Sequence, residues 1–320
     1  MSQTSKKILL ETNGLAVGHH GSDKALFENL NLSLCQGELV CFMGPNGIGK
    51  STLIRTLAGL QKALKGTIRL GTNLHQQIAV VLTDKVVSSN MSVYELITFG
   101  RYPYLDWSIR LREEDKNIID EAIRQVHIQP LIHKKLYQLS DGQLQLAMIA
   151  RALTQTTPII LLDEPTAHLD LNNRVEIMRL LRDLARQTHR AILVATHELD
   201  LALQTADYIW LTGRSKNIIT GIPEDLVLNG AFDDIFQFKG FDLKTGKVTQ
   251  QAHRDKSIQL TGEGAEYLWT KNALERSGFV VTSSPADITI VIEGNTNALS
   301  WNGNGQQFNS LQGLLKYLGD

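Results

Sequence analysis

The sequence predicts an α/β fold whose main part is a parallel sheet covered by helices on both faces. The apolar runs "PIILLDEP" (158–165) and "RAILVATHE" (190–198) indicate buried strands, and the amphipathic segment "LNNRVEIMRLLRDLARQ" (171–187) lies between them. Buried strands joined by crossover helices are typical of parallel sheets with two covered faces. A glycine-rich turn at 44–52, between a buried strand and a helical segment, adds a loop of the kind that binds ligands at a sheet edge.

The remaining elements follow from changes of pattern along the chain. "ILLETNGLAVG" (8–18) and "LNLSLCQGELVCFMG" (30–44) alternate and predict antiparallel strands, the last of them buried. Helical patterns between about residues 90 and 155 predict a helical insertion. Beyond "PEDLVLNGAFDDIF" the order strand, helix, several strands, helix predicts a small α+β appendage. We therefore predict a main domain at 1–235 and a C-terminal domain at 240–320.

Composition excludes several classes of protein. The 320 residues are 42% hydrophobic and 20% charged, with a formal net charge of -1, which lacks the basic footprint of a nucleic-acid binder. No apolar run approaches the roughly 20 residues that span a membrane, and the first residues lack the apolar core of a signal peptide. Cys35 and Cys41 show no disulfide or metal spacing, so we expect two small apolar side chains in a reducing cytosol.

The stretch "GPNGIGKST" fits the phosphate-binding pattern G-x-x-x-x-G-K-[ST]. Gly44 and Gly49 let the backbone curl so that its N–H groups point at phosphate oxygens. Lys50 supplies a positive charge for the β- and γ-phosphates, and the Ser51 hydroxyl can ligate Mg²⁺. The predicted nucleotide-binding residues here are Gly44, Pro45, Asn46, Gly47, Gly49, Lys50, Ser51 and Thr52.

Polar residues end two of the buried strands. Two adjacent carboxylates, Asp163 and Glu164, are costly at a strand end unless they meet a cation. We expect Asp163 to support Mg²⁺ and Glu164 to act as the base that orients the attacking water. In "ATHE", His197 ends the next strand, where it can donate to the γ-phosphate. Glu164, His197 and Lys50 are the predicted catalytic residues.

The segment "KLYQLSDGQLQLAMIARAL" (135–153) predicts a helix that begins after Ser140, a good capping residue. Gly142 lies in its first turn, where a surface helix gains little from glycine. A serine and a glycine at a helix N-terminus form a good seat for an anion. The residues alone leave open which anion this is.

The phosphate loop, "LSDGQ", "LLDEPTAHLD" and "ATHE", in this order and spacing, resemble the ATPase subunit of an ATP-binding-cassette (ABC) transporter over about residues 8–230. The resemblance implies a P-loop NTPase with a RecA-like parallel core, an N-terminal antiparallel β subdomain, a helical subdomain, and ATP and Mg²⁺ as cofactors. "VYELITFGRYPYL" and "PTAHLDL" resemble the importer ATPases for ferric siderophores, haem and cobalamin.

In that family two ATPase subunits pack head to tail, which implies a second copy of this chain as a partner. Ser140, Gly142 and Gln143 would then contact ATP held by the other subunit, and Asp170 would lie along the interface between the two subunits. The resemblance also implies an integral membrane permease, a substrate-binding protein that acts through it, no nucleic acid, and a peripheral place on the cytoplasmic face of the membrane.

This sequence departs from the family pattern at several positions. Asp141 replaces a glycine, and because a carboxylate repels phosphate we expect it to turn outward or to cap its own helix. Leu144 and Leu146 stand where basic residues are more common. Thr83 falls at the position of a glutamine, and threonine is short enough that it reaches Mg²⁺ only if its loop moves inward. His19 replaces the aromatic residue that stacks on adenine, and the alternative for it is a solvated loop histidine.

Two alternatives stay open at this stage: the ATPase of a different ABC transporter, and an ABC ATPase without a role in transport. A cassette ATPase acting on DNA would carry long coiled coils before the "LSDGQ" helix, and one acting on ribosomes usually has two cassettes; neither is present. A phosphotransferase would have no use for "LSDGQ" or Glu164.

The aromatic group Tyr102, Tyr104 and Trp107 either forms a groove for a short helix of the membrane partner or is the core of the insertion.

Overall fold

A computed structural model describes residues 6–19, 21, 24–70, 77–83, 90–107, 110–236, 241–243, 247–248, 252–294, 299–303 and 305–319. The chain divides into two compact units, Met1–Gln237 and Phe238–Asp320. Each unit is described separately.

The first unit alternates strands and helices around a helical region. Its described strands are β1 (Ile8–Gly18), β2 (Ala25–Leu30), β3 (Ser33–Cys35), β4 (Leu39–Met43), β5 (Lys65–Leu70), β6 (Ile78–Val81), β7 (Ile159–Asp163), β8 (Ala191–Thr196), β9 (Tyr208–Thr212) and β10 (Ile218–Gly221). Its described α-helices are α1 (Lys50–Leu57), α2 (Val93–Thr98), α3 (Glu113–Gln125), α4 (Asp141–Leu153), α5 (Leu171–Thr188), α6 (Leu199–Thr205), α7 (Pro223–Leu228) and α8 (Ala231–Phe236).

A six-stranded sheet in the order β10-β9-β4-β8-β7-β6 forms the centre of this unit. The neighbours from β9 to β6 are parallel, and β10 is an antiparallel edge strand. β4, β7 and β8 are buried at every residue, because helices cover both faces of the sheet. The parallel register places the carboxyl ends of these three strands, and the loops that follow them, at one edge.

The N-terminal strands form a separate antiparallel sheet, in which β1 pairs with β2, β3 and β5. This confirms the predicted antiparallel region with one correction. Residues 39–43 were predicted to continue it, but β4 belongs to the parallel sheet. The run "LVCFM" has no polar residue for a solvent face, as a strand covered on both sides requires. The pattern also did not indicate β2.

The predicted helical insertion is present between β6 and β7. α2 and α3 both pack against α4. The segment "MSVYELITFGRY" (91–102) has a helical pattern, but α2 covers only part of it and passes into a 3₁₀ helix over Phe99–Tyr104 that contains Pro103. Proline lacks the N–H that an α-helix needs. Arg101 is buried here and forms an ion pair with Asp115, with 2.9 Å between Nε and Oδ1.

The second unit contains a short pair of strands, β11 (Phe241–Asp242) and β12 (Lys247–Val248), and a larger sheet. The larger sheet has the order β14-β13-β15-β16-β17 and two helices. The elements are β13 (Ser257–Thr261), α9 (Gly264–Arg276), β14 (Val280–Thr282), β15 (Ile288–Glu293), β16 (Ser300–Gly303), β17 (Gln306–Phe308) and α10 (Leu311–Gly319). Trp301 lies in its core and donates from Nε1 to Thr270 Oγ1 at 2.8 Å.

The predicted α/β class, with an antiparallel β region, a helical insertion and a C-terminal α+β part, is confirmed. None of the helices in the described part of the chain combines the length and the apolar character that crossing a bilayer requires.

Candidate functional site

The glycine-rich turn connects β4 to α1 at the carboxyl edge of the central sheet. Gly49 has a φ of 116° and is the N-cap of α1, a left-handed conformation that favours glycine. Gly44 is needed for a different reason than predicted, because its φ is not left-handed. A Cβ there would lie 2.7 Å from the carbonyl oxygen of Thr212 at the end of β9. Gly47 is also left-handed, with a φ of 75°. The turn therefore uses Gly47 and Gly49 for backbone conformation and Gly44 for close packing.

Lys50 begins α1 and turns back over the loop. Its Nζ donates to the carbonyl oxygens of Gly44, at 2.9 Å, and Pro45, at 3.3 Å. Burial lowers the pKa of Lys50, and the nearby carboxylates of Glu164 and Asp163 act in the opposite direction. Of the other predicted phosphate-loop residues, Asn46, Gly47 and Ser51 are exposed and Thr52 is half-buried.

Asp163 ends β7 and is almost fully buried. Burial raises its pKa, and a hydrogen bond from the Ser51 side chain partly offsets that rise. Within the described residues its Oδ1 has no hydrogen-bond partner. A buried carboxylate oxygen without a donor is the kind of atom that a metal ion satisfies. The Thr83 hydroxyl, at the end of β6, donates to the backbone carbonyl of Asp163 at 2.9 Å.

Glu164 lies between two basic side chains. Its Oε1 is 3.9 Å from Lys50 Nζ, and its Oε2 is 3.5 Å from His197 Nδ1. Its φ of 48° is left-handed, which costs about 1–3 kcal/mol for a non-glycine residue and is common at functional sites. The Glu164 N–H donates to the carbonyl of Ala195 on β8 at 2.9 Å. The three residues predicted to be catalytic therefore lie together at the sheet edge.

The helix predicted to seat an anion is α4, and Ser140 caps it. The Ser140 Oγ accepts from the Gln143 N–H, and the Ser140 N–H donates to Gln143 Oε1, both at 3.3 Å. This is the reciprocal capping box. Asp141 does not cap the helix, so the second predicted alternative is wrong; its side chain is exposed and lines the cavity opposite the end of β7.

The start of α4 faces the end of β7 across a cavity of about 110 Å³. The cavity is lined from α4 by Asp141, Leu144, Gln145 and Met148, and from the sheet edge and the loop after β7 by Leu82, Thr83, Asp163, Glu164, Ala167, His168 and Leu169. Its volume is enough for several water molecules. Within one chain, the start of α4 and the acidic end of β7 thus share a cavity that polar and apolar side chains line in similar measure.

Asp170 caps α5 and holds Asn173, a residue that the sequence did not single out. Asp170 Oδ1 accepts from the Asn173 N–H at 3.0 Å, and Oδ2 accepts from Asn173 Nδ2 at 2.8 Å. The Asn173 amide packs against Gly142. Gly142 and Asp170, predicted to contact the second subunit, are therefore linked to each other through Asn173.

Two predicted features lie apart from these contacts. His19 follows β1 with an exposed side chain and has no hydrogen-bond or ring partner among the described residues. In the aromatic group, the alternative of an internal core has contacts at Tyr104, and the groove for a partner helix stays a prediction. Tyr104 donates to the Gln155 carbonyl and lies under the Arg101 guanidinium, whereas Trp107 is 99% exposed.

Comparison with known proteins gives a consistent result. Residues 27–167 match the ABC transporter family, and residues 255–319 match the iron ABC transporter C-terminal domain. An uncharacterized ABC transporter ATP-binding protein of Methanocaldococcus jannaschii is 39% identical over 72% of this chain and 82% of its own length. The petrobactin import ATP-binding protein FpuC of Bacillus anthracis is 34% identical over 71% and 86%.

A third relative extends through the second unit. The cobalamin import ATP-binding protein BtuD of Halobacterium salinarum is 31% identical over 90% of this chain and 75% of its own length. The solved structure of cbiO1 from Clostridium perfringens, part of the ABC transporter complex cbiONQ, superposes with a TM-score of 0.62 at 26% identity, over 71% of this chain and 95% of that one.

The fold and the edge-of-sheet site define a P-loop ATPase. The chain belongs to the ABC transporter family, as an ATP-binding protein that hydrolyses ATP. Three residues that hold the site together, Asn173, Arg174 and Glu198, were not predicted. Glu198 belongs to the quoted segment "ATHE", which could have indicated it. Nothing in the sequence indicated contacts for Asn173 or Arg174, because those contacts depend on the fold.

Proposed function

We propose that this chain is the ATP-hydrolysing subunit of an importer that carries an iron–siderophore, haem or cobalamin-type ligand through a separate membrane permease. The names of the petrobactin and cobalamin relatives support this class of ligand. The match of residues 255–319 to the iron ABC transporter C-terminal domain supports it independently. The chain works on the cytoplasmic face of the membrane, bound to the permease, and a substrate-binding protein delivers the ligand from the other side.

The observation that carries the chemical part of the proposal is the position of Glu164 between Lys50 and His197. Lys50 and the loop N–H groups bind the β- and γ-phosphates. Glu164 accepts a hydrogen bond from the attacking water and polarises it, while His197 donates to the γ-phosphate. The left-handed backbone of Glu164, fixed by its hydrogen bond to β8, keeps the carboxylate at this point.

Mg²⁺ fits the residues at the end of β7. Ser51 and Asp163 provide the hydroxyl and carboxylate oxygens that this ion prefers, and Asp163 Oδ1 is available. Among the described residues there is no group of three or more His, Cys, Asp or Glu side chains that could hold a metal ion. When bound, the ion neutralises charge on the phosphates.

Two copies of the chain complete each reaction centre. Ser140, the backbone of Gly142 and the positive end of the α4 dipole contact the γ-phosphate held by the other subunit, with Gln143 beside them. Asp170 lies along the interface between the two subunits. On the nucleotide's own subunit, Thr52 belongs to the phosphate loop and His19 contacts the adenine. Thr83 acts on Mg²⁺ through its hydrogen bond to Asp163.

The test of the catalytic part uses the full-length Glu164→Gln variant with Mg²⁺ and ATP. We expect phosphate release to fall by about 10²–10⁴-fold and light scattering to show an ATP-dependent dimer. Glu176→Gln, an exposed carboxylate on α5, is the matched control and should behave like the parent. Hydrolysis at the parental rate would overturn the role of Glu164. A variant that binds ATP but stays strictly monomeric would overturn the proposal that two copies complete each reaction centre.

The ligand needs a separate experiment. The membrane protein that copurifies with the Glu164→Gln variant can be identified and reconstituted in proteoliposomes with the parent chain. We expect ATP-dependent uptake of one of three labelled probes: a ferric siderophore, haem or cyanocobalamin. If none of these is taken up while ATP is hydrolysed, the proposed ligand class is wrong and the ATPase mechanism is unaffected.

A further inference from the structure

Arg174 connects two loops of the site that are otherwise separate in sequence. It lies in the first turn of α5 and donates from Nε to the Leu169 carbonyl at 2.6 Å. Its Nη1 donates to Glu198 Oε1, also at 2.6 Å. Leu169 belongs to the β7–α5 loop (residues 164–170), and Glu198 follows His197 after β8. The fork of the guanidinium therefore holds both loops at once.

Glu198 also brings its carboxylate next to the imidazole of His197. The Oε1 atom that accepts from Arg174 is also 3.7 Å from His197 Nε2. On the other side of the ring, Nδ1 faces Glu164 at 3.5 Å. The imidazole thus lies between two carboxylates, one of which is held in place by Arg174. The His197 side chain is 44% exposed, so the two carboxylates face a ring that is only partly enclosed by the protein.

Arg174 is not a residue that its helix favours. A positive charge in the first turn of α5 is unfavourable with the helix dipole, which prefers acidic residues there. Its contacts offset this cost, because the ion pair with Glu198 is half-buried, with side-chain exposures of 33% and 19%, and is screened less than a surface pair. The contacts therefore account for a cation at this position better than helix propensity does.

We propose that Arg174 and Glu198 are positioning residues that fix the imidazole of His197 relative to the β7–α5 loop. The proposal rests on the proposed role of His197 at the γ-phosphate. Glu164 is at one end of this loop. Asp170, at the proposed interface between the two subunits, is at the other end. Any displacement of the loop moves the Leu169 carbonyl, and through Arg174 and Glu198 it moves His197. The pair thus makes the action of His197 depend on the position of the loop that meets the second subunit.

The test compares steady-state ATP hydrolysis by full-length variants. We expect Arg174→Met to lower kcat about tenfold, with KM for ATP within about twofold of the parent, since displacing a catalytic group slows chemistry without removing a nucleotide contact. Arg186→Met is the matched control. Arg186 lies near the other end of α5 and also pairs with a carboxylate, Asp207, at 2.9 Å, but it should leave kcat unchanged.

A double variant separates positioning from a general loss of structure. If Arg174 acts through His197, Arg174→Met should cause no further loss of kcat when added to His197→Ala. Independent, additive losses would overturn the proposal, and so would a parental kcat in Arg174→Met. Arg174→Lys should recover only part of the rate, because a single ammonium does not reproduce the fork.

Two further results keep the outcomes distinct. If Arg174→Met is unstable to heat, Glu198→Met tests the same link, since it keeps the length of the side chain and removes both its charge and the oxygen that accepts from Arg174. The expected result is a reduced kcat at an unchanged melting temperature, and a parental kcat would overturn the proposal. If His197→Ala hydrolyses ATP at the parental rate, the positioning proposal fails with the role of His197, whereas Glu164→Gln tests the rest of the proposed function separately.

Discussion

The backbone of Gly142 lies directly against the side-chain amide of Asn173. A Cβ at position 142 would come within 3.0 Å of Asn173 Cγ and 3.2 Å of its Nδ2. The amide has little freedom to move, because Asp170 accepts hydrogen bonds from both its Nδ2 and the Asn173 backbone N–H. Close packing between the N-termini of α4 and α5 therefore favours glycine at this position, independently of any nucleotide.

The first prediction concerns Gly142→Ala. In the parent background we expect a loss of about 1–3 kcal/mol in the free energy of unfolding, because the new methyl group displaces the Asn173 amide. Helix propensity offsets up to about 1 kcal/mol of this loss. Urea denaturation of the full-length chain measures the difference, and the transition to compare is the unfolding of the first unit.

The control for this prediction is a second background. In Asn173→Ala the obstruction is absent, so Gly142→Ala should become neutral or stabilising. Asn172→Ala, an exposed neighbour on the same helix, should leave the penalty of Gly142→Ala unchanged. A penalty of the same size in all three backgrounds would show that Asn173 is not its cause.

The central sheet and the phosphate loop could be predicted because their signals are local. A continuous apolar run indicates a strand covered on both faces, and Gly49 with Lys50 marks the turn after β4. The contact of Asn173 with Gly142 could not be predicted, since the two residues meet only after α4 and α5 have packed. The same holds for Arg174, whose partners Leu169 and Glu198 lie in two separate loops.

The second prediction concerns the buried ion pair of Arg101 and Asp115. Arg101 also donates to the Thr154 carbonyl at 2.9 Å, so it ties the 3₁₀ helix to α3 and to the end of α4. Asp115→Asn leaves the guanidinium buried without a counter-ion and should cost about 3–5 kcal/mol. Glu121→Gln, which breaks the exposed pair with Arg124 on the same helix, should cost no more than about 0.5 kcal/mol. Equal losses would contradict the argument from burial.

The same pair gives the protein an acid-dependent stability. Burial acts to raise the pKa of Asp115, but hydrogen bonds from the Arg112 N–H and from Arg101 outweigh it, so the pKa lies below its ordinary value of 3.8. Below that pH the unfolded chain binds more protons than the folded one, so the contribution of this pair is fully present above pH 3.8 and is lost as the pH falls further. The difference in unfolding free energy between the parent and Asp115→Asn should therefore shrink below this pH.

The third prediction concerns Thr83 and the metal. Its hydroxyl holds the carbonyl of Asp163, and residues that orient a metal ligand typically change metal affinity by about 10–100-fold when they are lost. Thr83→Val keeps the shape and removes the donor, so the Mg²⁺ concentration for half-maximal hydrolysis should rise about tenfold. Thr83→Ser keeps the donor and should resemble the parent. An unchanged Mg²⁺ dependence in Thr83→Val would show that Thr83 does not influence Asp163.

The fourth prediction uses the two cysteines as reporters of core opening. Cys41 lies in β4 with no exposed surface, and burial raises the pKa of its thiol to about 12, with Asp207 adding to the rise. Cys35 is half-buried, and burial followed by Glu38 raises its pKa as well. Thiol reagents attack the thiolate, so Cys35 should react slowly in the folded chain and Cys41 only when the first unit opens.

ATP should slow the labelling of Cys41 because nucleotide bound at the β4–α1 loop stabilises the closed core. The expected factor is 1 + [ATP]/Kd, or about 100-fold when ATP is at 100 times its Kd. A Cys35→Ser background leaves Cys41 as the reporting thiol, and mass spectrometry follows the rate. Adding Lys50→Ala should abolish the protection, since it removes the positive charge that we propose binds the phosphates. Lys50 is the positively charged residue of the phosphate loop at 44–52. If ATP protects Cys41 equally well without Lys50, the nucleotide therefore does not bind through this loop.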